Sequence, residues 1–328
     1  ANILAEKTEV LLFSRDPGMV KSIAETRVHR DKSIHKNITP TGDISYLANL
    51  CDVIFPIVPS SAFRRVLQQL SPYLYPYHIL IHGTKGLDIL LPSNKDLNTI
   101  TSIDRENVMT MSEVIMDESV VVRIGCLAGP NIAKEMSANQ PAATVVASHY
   151  DEVITQGINL LRNDYFQVYG NKDLIGIELA GVLKNIIAIA SGALSGLGLG
   201  ENAKGLLISR GMVEMIHLGK AMGGNVPAFL GVAGIGDLVT TSNSTMSRNF
   251  TVGYRLAKGD SLNTILETME EVAEGVNTVQ IAKLYANSHK VTVPITEVLY
   301  RILFEDLKVE EGLQMLMKFP YNVDIDFL

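Results

Sequence analysis

The sequence predicts an α/β protein with a doubly wound parallel sheet, followed by an all-helical C-terminal domain. In the first half of the chain, short runs rich in Val, Ile and Leu alternate with helical periodicity, which is typical of a parallel sheet with helices on both faces. From about Asp173 onward the strand signal disappears and long helical patterns follow. A length of 328 residues also favours two domains. We therefore place a sheet domain at residues 1–172 and a helical domain at residues 173–328.

Six apolar runs are the predicted strands, and each ends in residues that favour turns. These runs are residues 9–13, 52–58, 78–82, 122–127, 143–147 and 165–169. In open α/β sheets, ligands bind at the carboxyl ends of the strands. The segments that follow the strands are therefore predicted to line a site, namely residues 14–17, 59–61, 83–86 and 129–131.

The start of the chain departs from the usual order of a dinucleotide-binding sheet. Such a sheet opens with a strand and a glycine-rich turn, whose backbone N–H groups hold a pyrophosphate at a helix N-terminus. Residues 1–7 look instead like the end of the helix that follows this turn. We therefore expect the first strand to be missing, which leaves two strands with unpaired inner edges. The alternative is a different sheet order in which residues 9–13 form the first strand.

Composition excludes several classes of partner and site. The net charge is -7 and no basic cluster is present, so nucleic acid is not an expected partner. Cys51 and Cys126 lie in apolar runs without the spacing of metal ligands, which predicts no metal site and a reducing compartment. The longest apolar run, residues 186–200, is shorter than the ~20 residues of a membrane span and predicts a buried helix without stable membrane insertion. Since no signal-peptide pattern is visible, we expect a cytoplasmic protein.

Two polar elements in apolar surroundings indicate a site for a small phosphorylated substrate. Residues 231–249 are a predicted loop, since their glycines interrupt the helical pattern. This segment is rich in Gly, Ser and Thr and ends in Arg248 and Asn249, whose fixed N–H donors suit the oxygens of a phosphate. Lys184 and Asn185 lie in an apolar helix, where desolvation would lower the lysine pKa toward working pH and favour proton transfer. Taken singly, an Arg-Asn pair is more often part of a surface loop, and a lysine in an apolar helix more often reaches toward solvent.

Seven segments in order resemble the NAD(P)-dependent glycerol-3-phosphate dehydrogenase family, and the resemblance covers almost the whole chain. The segments are 57–60 (IVPS), 83–87 (GTKGL), 128–133 (AGPNIA), 178–189 (ELAGVLKNIIAI), 234–241 (GIGDLVTT), 247–249 (SRN) and 272–275 (VAEG). Two features depart from the family: the glycine-rich phosphate turn is absent, and Asn131 stands where many relatives have Ser or Thr.

The resemblance implies a Rossmann sheet, NAD or NADP as cofactor, and a homodimer. It also implies interconversion of dihydroxyacetone phosphate and sn-glycerol 3-phosphate, which supplies glycerol 3-phosphate for glycerolipid synthesis. Reduction of the ketone requires a proton donor near its oxygen and cations that stabilise the developing alkoxide. We expect Lys184 to be that donor, with Lys85 and Asp237 as its catalytic partners.

The same resemblance yields a set of expected binding residues. The expected substrate contacts are Lys85, Gly129, Asn131, Lys184, Asn185, Asp237, Thr241, Ser247, Arg248 and Asn249. The expected cofactor contacts are Ser14, Arg15, Pro59, Phe63, Lys85, Ala133, Arg248, Val272 and Glu274. At Ser14 and Arg15 an NAD-selective fold would often place an acid for the ribose hydroxyl, so use of NADP is also open.

Simpler roles and two rival functions remain open at this stage. Asp237 could cap a helix, Glu274 could be an acid at a helix start, and His82 and His217 are predicted to serve packing. Because Arg248 could also hold a carboxylate, a 3-hydroxyacid dehydrogenase of the same two-domain architecture is one alternative. A non-catalytic binding or assembly module is the other.

Overall fold

The computed structural model describes residues 1–29, 32–91, 97, 99–269, 272–320 and 323–325. Within them, the strands are β1 Val10–Phe13, β2 Val28–His29, β3 Lys32–Ser33, β4 Ile38–Thr41, β5 Val53–Ile54, β6 Ile79–His82, β7 Asp88–Ile89, β8 Val108–Met109, β9 Arg123–Ala128, β10 Ala142–Ala147 and β11 Phe166–Asn171. The α-helices are α1 Asn2–Ala5, α2 Pro17–Thr26, α3 Ile44–Leu50, α4 Ser60–Leu70, α5 Met111–Glu118, α6 Ala133–Ser137, α7 Asp151–Leu161, α8 Leu174–Gly196, α9 Glu201–Ala221, α10 Val226–Leu230, α11 Asp237–Asn243, α12 Arg248–Ala257, α13 Leu262–Thr268, α14 Glu274–His289, α15 Pro294–Phe304 and α16 Val309–Met317.

The described strands of the N-terminal half form four separate ladders, two of which are the short pairs β2/β3 and β7/β8. Five strands pair in the order β11-β10-β9-β6-β5, while β1 pairs only with β4. All six predicted strands are present, and β1 and β5 each have a single neighbour among the strands described, as expected for two unpaired inner edges. The described strands therefore do not form one continuous sheet that begins at residues 9–13.

Two details of the sheet differ from the sequence prediction. Strand β10 runs antiparallel to β9 and parallel to β11, so the sheet is mixed. An apolar run indicates that a strand is buried on both faces, but it does not indicate whether the strand is parallel or antiparallel to its neighbours. The prediction also missed β4 and the short antiparallel pairs β2/β3 and β7/β8, whose two- to four-residue strands are too short for a clear periodicity.

The helical half is built around α8, which is almost entirely buried. By length and composition this helix could cross a membrane, but 94% of its most apolar window is buried inside the protein, as predicted for a core helix. Its small residues allow α12 to approach closely: a Cβ on Gly192 would lie 1.9 Å from the Phe250 oxygen, and one on Gly253 would lie 1.8 Å from the Ile189 oxygen. Asp173 caps the start of α8 by accepting from the Gly176 N–H at 3.0 Å.

Residues 231–249, predicted as a loop, are largely helical. A five-residue π-helical turn, Val232–Gly236, leads directly into α11, and the Ser247 hydroxyl caps the next helix, α12, by accepting from the Phe250 N–H at 3.3 Å. A Cβ on Gly234 would lie 1.9 Å from the Phe229 oxygen. Glycine is therefore needed here for close packing, and the prediction of a loop was wrong because it read the glycines as helix breakers.

A buried acid joins two helices of the helical domain and gives a first testable prediction. The Glu214 carboxylate on α9 accepts from the N–H groups of Ile295 and Thr296 at 2.8 and 2.9 Å, at the start of α15. Burial raises the pKa of Glu214 from 4.5 to about 7, against the opposing effect of these hydrogen bonds. The native state therefore binds this proton more tightly than the unfolded state, and stability from this group falls as pH rises from about 4.5 to about 7.

Between these pH values, we expect the free energy of unfolding of the wild type to fall by about 1–3 kcal/mol relative to that of Glu214→Gln. Only the wild type has a carboxyl that titrates at this position. Thermal unfolding of both proteins at pH 5 and pH 8 measures the difference. Equal melting temperature shifts for the two proteins would contradict the prediction.

Candidate active site

Three charged side chains from different elements meet at one point. Lys184 lies in the middle of α8, Asp237 is the first residue of α11, and Lys85 lies three residues after the end of β6. The Lys184 ammonium donates to Asp237 Oδ1 at 3.0 Å, and the Lys85 ammonium donates to Asp237 Oδ2 at 2.6 Å. One carboxylate thus accepts hydrogen bonds from two lysines, one in α8 and one in the loop after β6.

Further hydrogen bonds hold the lysine cluster, Lys184, Asp237 and Lys85, in place from α11 and from the loop after β9. Thr241, one turn after Asp237, accepts from Lys184 at 2.5 Å and donates to Asp237 Oδ1 at 3.0 Å. Lys85 donates to the Gly129 oxygen at 2.9 Å, just after β9. The side chains of Lys184 and Asp237 are only 6% and 3% exposed, whereas that of Lys85 is 23% exposed, so Lys85 lies nearest to the solvent.

Burial and the neighbouring charges set the protonation of the cluster. Burial lowers the pKa of Lys184 from 10.5 to about 8; the Asp237 carboxylate opposes this change, while the charges of Lys85 and Arg248 add to it. Burial would raise the pKa of the Asp237 carboxyl, but the ammonium groups of Lys85 and Lys184 outweigh burial and hold that pKa below its usual value. The site therefore combines a stable carboxylate with an ammonium that can release its proton near neutral pH.

The Arg-Asn pair lies at the start of α12, beside the segment 272–275. The Arg248 guanidinium donates to the Val272 oxygen at 3.0 Å, and Asn249 Oδ1 accepts from the Gly275 N–H at 2.9 Å. Because its oxygen is engaged in this way, the Asn249 amide nitrogen remains as the group that can donate to a ligand. Asn185 is buried beside Lys184, and a Cβ on Gly275 would lie 3.0 Å from the Asn185 oxygen.

Two further expected substrate residues lie in the loop after β9. A Cβ on Gly129 would approach the Ala143 oxygen to 2.7 Å, so glycine is required where this loop passes β10. The Asn131 amide points toward Thr144, with 3.0 Å between its polar atom and Thr144 Oγ1. This contact directs the Asn131 side chain to β10 and not into the lysine cluster.

The expected cofactor residues come from both halves of the chain. Ser14 follows β1, and Arg15, Pro59, Ala133 and Val272 are exposed at neighbouring loops and helix starts. Four of these five residues are thus open to solvent, and their contact with a cofactor stays a prediction.

Phe63 differs from the other expected cofactor residues. Its ring is fully buried in α4 and packs edge-on against His82 at 5.8 Å between centroids. The structure therefore places Phe63 in the core, because the apolar face of α4 is turned toward the sheet.

Two polar contacts near the site were not predicted as functional. The Ser60 N–H and hydroxyl both donate to the Glu274 carboxylate, the former at 2.8 Å. His82 Nε2 lies 2.9 Å from Glu178 Oε1, and both side chains are almost fully buried. His82 packs in the core, as predicted. Its contact with Glu178 was missed, although an acid in an apolar helix indicates that a polar partner is buried beside it.

The chain matches two models of one family. Residues 1–154 match the NAD-dependent glycerol-3-phosphate dehydrogenase N-terminus, and residues 173–314 match the NAD-dependent glycerol-3-phosphate dehydrogenase C-terminus. The chain belongs to the NAD-dependent glycerol-3-phosphate dehydrogenase family. The family resemblance inferred from the seven segments is thereby confirmed.

Individual members of the glycerol-3-phosphate dehydrogenase family match along nearly the whole chain. A glycerol-3-phosphate dehydrogenase [NAD(P)+] from Ectopseudomonas mendocina is 36% identical, with 100% of this chain and 93% of the relative covered. One from Staphylococcus haemolyticus is 37% identical, with 97% and 93% covered. The crystal structure of glycerol-3-phosphate dehydrogenase from Coxiella burnetii has a TM-score of 0.84 at 32% identity, with 97% and 94% covered.

Proposed function

We propose that this protein is an NAD(P)-dependent oxidoreductase that interconverts dihydroxyacetone phosphate and sn-glycerol 3-phosphate. Membership of the family supports this proposal. The observation that carries it is the Lys184–Asp237–Lys85 cluster, a proton donor and a second cation held on one buried carboxylate. We favour this function over the two alternatives, a 3-hydroxyacid dehydrogenase and a non-catalytic binding or assembly module.

The chemistry of the cluster suits reduction of a ketone. The reduced nicotinamide, when bound, supplies the hydride. Lys184 then donates its proton to the substrate oxygen, and the Lys85 ammonium stabilises the negative charge that develops there. Asp237 and Thr241 hold the Lys184 ammonium in place. In the reverse direction, the neutral amine of Lys184 accepts the hydroxyl proton of glycerol 3-phosphate.

The substrate phosphate is assigned to the start of α12. The Arg248 guanidinium and the Asn249 amide nitrogen offer several donors to one anion at this helix start. The charge of Arg248 also acts on Lys184, so the two groups lie within electrostatic reach of each other. A phosphate with three oxygens uses this donor set more fully than a carboxylate with two.

Residues at the edge of the sheet domain are assigned to the cofactor. Arg15 and Ser14 provide a guanidinium and a hydroxyl at the end of β1, where the adenosine ribose of a dinucleotide lies in this fold. Glu274, at the start of α14, is assigned to the cofactor as well, and its carboxylate is held by Ser60. Carboxylate oxygens accept hydrogen bonds from amide or ribose groups, so this donor and acceptor set fits NAD or NADP.

The pKa of Lys184 predicts opposite pH profiles for the two directions. Because reduction needs the ammonium, kcat for dihydroxyacetone phosphate reduction should fall about tenfold per pH unit above about 8. Because oxidation needs the neutral amine, kcat for glycerol 3-phosphate oxidation should fall below about 8. Steady-state rates at saturating substrate from pH 6.5 to 9.5 measure both profiles. Flat profiles in both directions would contradict this assignment.

A nicotinamide absorbance assay on the full-length protein tests the function itself. Dihydroxyacetone phosphate is supplied with NADH and with NADPH, and a 3-oxo acid serves as the alternative substrate. Preference for the acid would overturn the proposal.

We also propose a homodimer, on family resemblance, and a cytoplasmic location, which the free cysteines Cys51 and Cys126 support. Light scattering of the purified protein and fractionation of cells test these two statements.

A further inference from the structure

The contact between Ser60 and Glu274 joins the two domains. Ser60 is the first residue of α4 in the sheet domain, and Glu274 is the first residue of α14 in the helical domain. The two residues are 214 positions apart in sequence. Ser60 is only 6% exposed, so its hydroxyl is largely removed from water and its main partner is the carboxylate.

Both oxygens of the Glu274 carboxylate are engaged by Ser60. The backbone N–H of Ser60 donates to Oε1 at 2.8 Å, and the Ser60 hydroxyl donates to Oε2. Pro59, the residue before α4, makes no side-chain capping bond, so this carboxylate serves as the anionic cap of an eleven-residue helix. Each oxygen retains a second lone pair that can accept a hydrogen bond from another molecule.

The loop after β6 packs closely against this contact. Gly86 lies directly after Lys85, and a Cβ there would lie 2.4 Å from Ser60 Cβ and 2.9 Å from Glu274 Oε2. Any larger residue would therefore displace the hydroxyl or the carboxylate. The loop that carries Lys85 is thus packed against the pair that holds Glu274.

We propose that Ser60 is a positioning residue for the nicotinamide cofactor: it fixes the Glu274 carboxylate so that the free lone pairs face the cofactor. The proposal rests on the proposed function, in which Glu274 contacts NAD or NADP. Ser60 itself acts through Glu274. Loss of its hydroxyl leaves the carboxylate held by a single N–H, free to turn about that bond, which weakens the cofactor contact without removing a group from the reacting atoms.

The test is a comparison of Ser60→Ala with the wild type. Fluorescence titration with NADH and NADPH, in the absence of substrate, should show a Kd raised about 3- to 10-fold. The kcat and the KM for dihydroxyacetone phosphate should stay within about twofold, since Lys184, Asp237 and Arg248 are untouched. An unchanged cofactor Kd, or an equal loss in kcat, would overturn the proposal.

A matched control and a double variant separate positioning from a structural role. Ser261 caps α13 by accepting from the Thr264 N–H at 3.2 Å, and Ser261→Ala removes a comparable helix-start hydroxyl from an exposed position. This control should leave the cofactor Kd unchanged. On a Glu274→Ala background, Ser60→Ala should add no further loss of cofactor affinity, whereas additive losses would show that Ser60 does not act through Glu274.

The outcome is independent of the proposed substrate. Cofactor affinity is measured without dihydroxyacetone phosphate, so a wild type that binds NADH but does not reduce this ketone would contradict the proposed substrate alone. In that case, the shift in Kd on Ser60→Ala would still decide whether Ser60 positions Glu274.

Discussion

Replacement of Lys184 by alanine should lower kcat for dihydroxyacetone phosphate reduction by at least about 100-fold, because general acid catalysis typically contributes this much or more. Cofactor affinity should change little, since Lys184 lies in α8 within the helical domain and its partners are Asp237 and Thr241. Asp237 would keep Lys85 as a counter-ion, which limits the structural cost. Steady-state kinetics and NADH titration of the same preparation measure the two effects.

Lys204→Ala is the matched control for this experiment. Lys204 lies on the neighbouring helix α9 and pairs at 3.1 Å with Glu201, whose side chain is 84% exposed. Surface ion pairs of this kind contribute little to stability, so kcat should remain at the wild-type level. Retention of more than about a tenth of the turnover in Lys184→Ala would exclude Lys184 as the general acid.

Arg248→Ala should raise the KM for dihydroxyacetone phosphate by about 10- to 100-fold, the cost of one lost charge-assisted contact. Reduction of unphosphorylated dihydroxyacetone should change less than about twofold, since this substrate carries no anion. The charge of Arg248 also lowers the pKa of Lys184. The variant should therefore show a kinetic pKa above that of the wild type.

Arg255→Ala is the control for Arg248, because it removes a second arginine from α12. Arg255 pairs with Asp260 at 2.6 Å, outside the lysine cluster. Arg255→Ala should leave the ratio of kcat/KM for dihydroxyacetone phosphate to kcat/KM for dihydroxyacetone unchanged. Equal losses on dihydroxyacetone phosphate and dihydroxyacetone in Arg248→Ala would instead assign Arg248 a structural role or a cofactor contact.

The sequence was sufficient to predict six of the eleven described strands and to name Lys184, Asp237 and Lys85, but not to show that both lysines share one carboxylate. The strand at 78–82 was predicted because an apolar run ends in Gly83, a turn residue, and the structure has β6 at Ile79–His82. Strand β4 was missed because its four residues, ITPT, include a proline and only Ile38 is fully buried. A proline removes a ladder hydrogen bond and argues against a strand.

The site depends on contacts between residues that are far apart in sequence, which local sequence patterns do not predict. Lys184 and Asp237 are 53 positions apart, and Lys85 and Asp237 are 152 positions apart. Motif order indicated that these residues belong to one site, whereas the sharing of one carboxylate follows only from how α8 packs on the sheet. Phe63 was expected to contact the cofactor from its place shortly after the segment 57–60, which did not indicate that its ring faces the core.

The shared carboxylate of Asp237 makes assembly of the two domains a condition for the protonation chemistry. Lys184 and Asp237 both come from the helical domain, while Lys85 comes from the sheet domain and is brought in by the packing of Gly181 on α8 against Ala128 and Lys85. If the domains separate, Lys184 loses the second ammonium that lowers its pKa, and Asp237 is left with a single counter-ion. Since burial and the Lys85 ammonium both lower the pKa of Lys184, the acidity of the proton donor depends on the docking of the sheet domain against α8.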